Sequence, residues 1–222
     1  MRHTYQMEFE VDNIKYSQPV MSAKWLTVYL QFLLARIGPF LKKLTMSSHS
    51  SFSQSFNDGI LAKIAKHSRL VNLVCGNTAV TDSGITYLAK RCPNLRVLSC
   101  MNTTMGDESL TELAVHCPNL STLNIQSSKI TNQSLAILGQ FARNLTQLYI
   151  LGCYRVDGDG FQLMHAGRKA GNAEEKSSRK SLNVVASSRN LAASETPLLT
   201  AQMKEVDVSL EVRGELLQLT AS

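Results

Sequence analysis

Apolar residues recur along this chain with a period of 25 residues. Leu70, Leu95, Leu120 and Leu145 form one column, Leu73, Leu98, Leu123 and Leu148 a second, and Cys75, Cys100, Ile125 and Ile150 a third. Val80, Met105 and Ile130 keep step, followed by Ile85, Leu110 and Leu135 and by Leu88, Leu113 and Leu138. In the fourth unit Val156, Phe161 and Met164 fall one residue later. A period of this length marks a repeat architecture, in which each unit buries its apolar face against its neighbours.

The pattern inside a unit predicts its elements. Leu-x-x-Leu-x-(Cys/Ile) is a short strand whose alternate side chains face opposite ways. The i, i+3, i+4 spacing of Ile85, Leu88 and Ala89, repeated at Leu110, Leu113 and Ala114, is the buried stripe of a helix. Asp82, Asp107 and Asn132 stand at the expected helix starts and read as N-caps, because their side-chain oxygens accept orphan backbone N–H groups. Lys90, Arg91 and His116 suit the negative end of the helix dipole, and Pro93 and Pro118 end the helices. Each unit is therefore one strand and one helix.

Upstream, Leu34-Ala35-Arg36-Ile37-Gly38-Pro39-Phe40-Leu41 matches Leu88-Ala89-Lys90-Arg91-Cys92-Pro93-Asn94-Leu95. That places a strand on Leu41, Leu44 and Met46, a helix on Trp25 to Arg36, and an insertion in the Ser-rich segment 47–55. Tyr5, Met7, Phe9 and Val11 alternate with polar residues and predict a first, capping strand. The expected organisation is a capping strand and lead-in over 1–24, repeats over 25–168, and a disordered tail over 169–222, rich in Ser, Ala, Lys and Glu. Within the tail, Val206, Val208, Leu210 and Val212 alternate like a strand, but nothing in the pattern supplies a pairing partner.

The units resemble leucine-rich repeats of the cysteine-containing subfamily. The resemblance lies in Leu95-Arg96-Val97-Leu98-Ser99-Cys100, Val80-Thr81-Asp82 and Cys117-Pro118-Asn119-Leu120, with Cys153 at the ninth position of its unit. It covers residues 25–168 and implies an α/β solenoid, a curved horseshoe with parallel strands on its concave face and helices on its convex face. Residues 7–46, down to Gly38-Pro39-Phe40-Leu41, also resemble the lead-in that follows the F-box in F-box ubiquitin-ligase subunits. The resemblance implies binding of a protein substrate for an SCF-type ligase. It makes SCF core components partners only if an F-box lies upstream, since these residues hold none. A non-ligase scaffold or inhibitor that regulates a protein partner is the alternative.

Composition narrows the chemistry. Among 222 residues, 44% are hydrophobic and 18% charged, which excludes global disorder and a coiled coil. The net charge of +6 is spread along the chain, so a nucleic-acid partner is not expected. The greasiest stretch, Trp25 to Leu34, is half the roughly 20 residues a membrane span needs, and no secretory signal is visible. A membrane partner is therefore not expected, and the protein is placed inside the cell, in cytoplasm or nucleus. The 5 cysteines form no Cys-x-x-Cys pair, so a structural zinc site is not expected and core packing is. Thr78, Thr103, Ser128 and Cys153 should form a ladder bonding backbone groups. Asp157-Gly158-Asp159-Gly160 opens like a calcium loop, but Phe161 and Arg168 stand where acidic ligands are required. No nucleophile elbow, phosphate-binding glycine loop or His-Glu-x-x-His motif occurs, so the chain is expected to be no enzyme and to need no cofactor or metal.

Strand alternation then nominates one surface. With the leucines pointing inward, Asn72, Val74, Val97, Ser99, Thr122, Asn124, Gln147 and Tyr149 face out on the concave side, extended at the strand exits by Met101, Gln126 and Leu151. Apart from Lys43 on the first repeat strand, this surface carries no charge. It suits a protein or peptide partner, with Tyr149 as anchor.

Overall fold

The computed structural model describes residues 4–11, 14–22, 28–29, 31–34, 36, 38–48, 53–66, 69–170, 179–187, 191 and 196–213. Strands β1 (Thr4–Val11), β2 (Ile14–Ser22) and β3 (Leu41–Ser48) open the chain. Backbone at 28–29, 31–34 and 36 is helical, within the span expected for the lead-in helix, whereas Trp25 lies outside the described residues. Next come β4 (Ser53–Asn57) and α1 (Asp58–Ala65), then β5 (Asn72–Val74), β6 (Thr78–Ala79) and α2 (Asp82–Arg91). The following units are β7 (Val97–Ser99) with α3 (Asp107–His116), β8 (Thr122–Asn124) with α4 (Asn132–Phe141), and β9 (Gln147–Tyr149) with α5 (Gly158–Lys169). Beyond these lie β10 (Leu182–Ser187), α6 (Thr196–Lys204) and β11 (Val208–Arg213).

One 9-stranded sheet runs in the order β11-β10-β9-β8-β7-β5-β3-β1-β2, and β4 pairs with β6 in a separate 2-stranded sheet. From β3 to β11 every neighbour in the large sheet is parallel. The protein is an α/β leucine-rich-repeat solenoid. Leu73, Leu98, Leu123 and Leu148 pair in register across four strands and are all 0% exposed, sealed between sheet and helices. β1 runs antiparallel to β3, and β2 adds a hairpin strand outside it, at the edge of the sheet.

Two sequence expectations are corrected. Over its described residues, the segment after 168 is not a disordered tail: β10 pairs in parallel with β9, and β11 with β10. Leu182, Val184, Ala186, Leu199, Met203 and Val208 join the core. The alternating strand at 206–212 thus has its partner in β10. Arg168, 3% exposed, donates from Nε to Val206 O (3.0 Å) and from Nη2 to Lys180 O (2.9 Å). Arg179 donates back to Gly167 O (3.2 Å), to Arg168 O and to Gln140 O (3.2 Å), satisfying carbonyls at the ends of α5 and α4.

The second correction concerns the caps. Asp82, Asp107 and Asn132 are the first residues of their helices, after Thr81, Gly106 and Thr131, and their side chains reach forward into the next repeat. Asp58 accepts from Thr81 N (2.8 Å) and Thr81 Oγ1 (2.5 Å). Asp82 accepts from Gly106 N (2.7 Å) and Ser109 N (3.2 Å). Asp107 accepts from Thr131 N (2.8 Å), Thr131 Oγ1 (2.7 Å) and Ser134 Oγ. Asn132 accepts from Asp157 N (3.0 Å) and donates to Asp157 Oδ1 (2.7 Å). The strand exits repeat a second device: Asn77, Asn102, Ser127 and Gly152 take left-handed φ of 58°, 54°, 56° and 71°. At Gly139 a methyl group would overlap the Met164 carbonyl, so α4 and α5 approach backbone to backbone.

Candidate functional site

The open face of the sheet carries the nominated residues in rows. Asn72, Val97, Thr122 and Gln147 lie in register, flanked by Lys43 on β3 and Asn183 on β10. Val74, Ser99, Asn124 and Tyr149 form the second row, between Thr45 and Val185. Met101, Gln126 and Leu151 follow at the exits, where their carbonyls accept from Asn77 N (2.9 Å), Asn102 N (2.9 Å) and Ser127 N (2.8 Å) of the preceding repeats. These backbone bonds and the left-handed residues fix the third row.

Exposure along the rows is uneven. Gln147 is exposed, while Asn72, Val74, Val97, Met101, Thr122, Asn124, Gln126, Tyr149 and Leu151 are half-buried. Ser99 was expected to face out and is buried, because its small side chain sits between Val74 and Asn124 at a strand spacing of about 5 Å. Tyr149 lies in the row between Asn124 and the buried Val185, with its hydroxyl 3.5 Å from Gln147 Oε1. Sequence reasoning missed the continuation of the face. Asn183 and Ser209 extend the first row and Val185 and Glu211 the second; Ser209 Oγ donates to Asn183 Oδ1 (3.2 Å). Charge enters at this end as an ion pair, Arg213 Nε to Glu211 Oε1 at 2.8 Å, and that bond holds the Glu211 carboxyl below its ordinary pKa.

The cysteines occupy the interior. All five thiols are free and buried, with Cys75 Sγ 3.3 Å from Cys100 Sγ. The Cys75 contact, then burial, pushes the Cys100 pKa well above its ordinary value. Burial pushes Cys92 up to about 11, and burial with Cys92 alongside pushes Cys117 up to about 12. Cys117 Sγ donates to Cys92 O (3.5 Å) and Ala89 O (3.7 Å). Protonated, buried thiols are poor nucleophiles and poor metal ligands. The expected ladder forms in part: Thr78 Oγ1 donates to Cys75 O (2.6 Å) and Thr103 Oγ1 to Cys100 O (2.8 Å), whereas Cys153 Sγ reaches back to Ile125 O (3.2 Å) and Ser128 Oγ lies 3.5 Å from Cys153 Sγ. Asp157 of the calcium-like stretch caps α5, accepting from Asp159 N (3.0 Å). Among the described residues no cluster of three or more His, Cys, Asp or Glu is placed to hold a metal ion, and no helix is long and apolar enough to cross a membrane.

No protein-family model and no curated protein matches the chain. Solved structures of related shape include the complex of Rad7 and Elc1 from yeast, at 16% identity and a TM-score of 0.43, over 63% of this chain and 42% of that one. They also include internalin C2 from Listeria monocytogenes, at 14% identity and a TM-score of 0.24, over 57% of this chain and 83% of that one. The chain spans less than half the length of the Rad7–Elc1 chain it matches. These likenesses concern shape alone.

Proposed function

We propose that this chain is a protein-recognition module whose partner lies across the open face of the sheet, on the rows from Asn72 to Gln147 and from Val74 to Tyr149. The observation that carries the reading is the uncharged run over four adjacent strands, with charge only at Lys43 on one side and at Glu211 and Arg213 on the other. Amide and hydroxyl groups supply directional hydrogen bonds, and Val, Met, Leu and Tyr supply apolar contact, the mixture that protein interfaces use. The module recognises and does not catalyse. A finer reading follows from the resemblance of residues 7–46 and of the Cys-Pro-x-Leu units: the bound protein is a substrate presented to an SCF-type ubiquitin ligase, whose chemistry comes from other chains.

Tyr149 is the anchor, because it combines large area, a hydroxyl and few rotamers to freeze. Tyr149→Ala, shown by circular dichroism to remain folded, should weaken partner capture by about 2 kcal/mol, roughly thirtyfold. Equal capture by both proteins would remove the site from this face. If the captured partner's ubiquitination and turnover do not change when the chain is depleted, the ligase reading gives way to that of a scaffold or inhibitor.

A further inference from the structure

Lys42, Arg69 and Arg96 are far apart in sequence, and nothing in the charge pattern groups them. The fold brings them together where the strands begin. Val71 N donates to Lys42 O (2.7 Å) and Arg96 N to Val71 O (2.7 Å), so the entries to β3, β5 and β7 lie side by side. A groove of about 350 Å³ opens there, lined by Lys42, Arg69, Val71, Asn94, Arg96 and Asn119. Arg69 and Arg96 are exposed and Lys42 is half-buried. No carboxylate lines the groove, and none of the three cations pairs with a described acidic residue. Some cations elsewhere are matched, as in Lys90 with Glu112 (3.1 Å) and Lys169 with Glu205 (3.8 Å).

We infer that this groove binds an acidic polypeptide segment, one bearing two or three Asp or Glu side chains at close spacing. Each guanidinium offers a planar fork of donors that fits a carboxylate, and Lys42 adds a point charge between strands. The Asn94 and Asn119 amides can donate to and accept from a peptide backbone, and Val71 supplies an apolar floor. A nucleic acid is a poorer fit. Three cations neutralise few phosphates, and no aromatic ring lines the groove to stack a base. The groove lies at the strand entries, outside the rows of the open face, so this inference stands independently of the function proposed above.

The test measures fluorescence anisotropy of a labelled peptide of alternating Glu and Ala on the full chain, against a single-stranded oligonucleotide of equal length. The wild type should bind the acidic peptide, and R69E/R96E should bind it at least tenfold more weakly. K129E/R155E makes the same change in net charge at exposed positions outside the groove and should stay within twofold of wild type. R69E/R96E should in turn gain affinity for a peptide of alternating Lys and Ala, which a misfolded variant would not do at the same site. Equal loss in K129E/R155E would reduce the effect to net charge and overturn the proposal. So would tighter binding of the oligonucleotide, or no binding of the acidic peptide at all.

Discussion

The units between residues 70 and 150 and the segment from 179 to 213 belong to one sheet but are held in it by different means. In the first region the main contacts recur: the same leucine column, the same left-handed exit, the same carboxylate or amide reaching forward to the next helix. The second has parallel strands in register and shares the core, and two side chains used once, Arg168 and Arg179, add bonds to it that have no counterpart in the repeats. Identical neighbours make register self-consistent, because a slip would misplace every column together. Where the period fails, Val184 still takes the column position beside Leu148, and individual long-range hydrogen bonds supplement the ladder.

The largest expected effect breaks the repetitive region. Leu123→Ala empties a fully buried position and should cost roughly 2–5 kcal/mol by denaturant melt, enough to unfold most of a short array. A loss under about 1 kcal/mol would contradict the tight packing argued for these units. Arg168→Met should cost about 2 kcal/mol, since it leaves Val206 O and Lys180 O without their donors. Hydrogen exchange should accelerate in β10 and β11 and stay unchanged in β7 and β8; equal acceleration everywhere would erase the distinction between the two regions.

The smallest effect is alkaline and sets in at about pH 9. All five cysteines lie between 75 and 153, none in the 179–213 segment. Burial raises the pKa of folded Cys92 to about 11 and of folded Cys117 to about 12, from an ordinary thiol value of 9.0. The unfolded chain therefore loses these protons first. Their contribution to stability is intact below about pH 8.5 and is lost as pH rises through the folded values. The thermal midpoint should fall from about pH 9, where the loss is about 1 kcal/mol, and fall further toward pH 11. The slope should flatten in Cys92→Ala/Cys117→Ala, and an unchanged slope would assign it to other groups.

The repeat core was legible because its signal is a column of Leu residues at one spacing, and the strands at 72–74, 97–99, 122–124 and 147–149 fall where that spacing places them. The rows of the open face follow from alternation alone. The extension beyond 168 was hidden because Leu148 pairs with Val184 across 36 residues of sequence instead of 25. The burial of Ser99 depends on the size of side chains one strand away, which a single strand's pattern does not contain. The forward reach of Asp82 and Asp107 was misread for a related reason: cap preference is a local rule, and the acceptor here serves a helix one unit on. Thr81 and Thr131, immediately upstream, were the available signal. β2 escaped notice because Ile14–Ser22 mixes polar residues with Pro19 and shows no clean alternation.

The forward-reaching caps give the array a direction of inheritance. The α1 helix is capped by its own Asn57, which accepts from Gly59 N (3.1 Å) and Ile60 N (3.3 Å), but the helix starts from α2 to α5 each take a bond from the unit before. A duplicated interior unit would arrive with an acceptor already facing the Thr or Gly of its successor, and with its own helix start in reach of its predecessor's side chain. Gain by copying is therefore seamless at both joints. Loss is not symmetrical: removing a unit's upstream neighbour strips its helix start of a partner, whereas removing the downstream one merely leaves an Asp or Asn side chain to water.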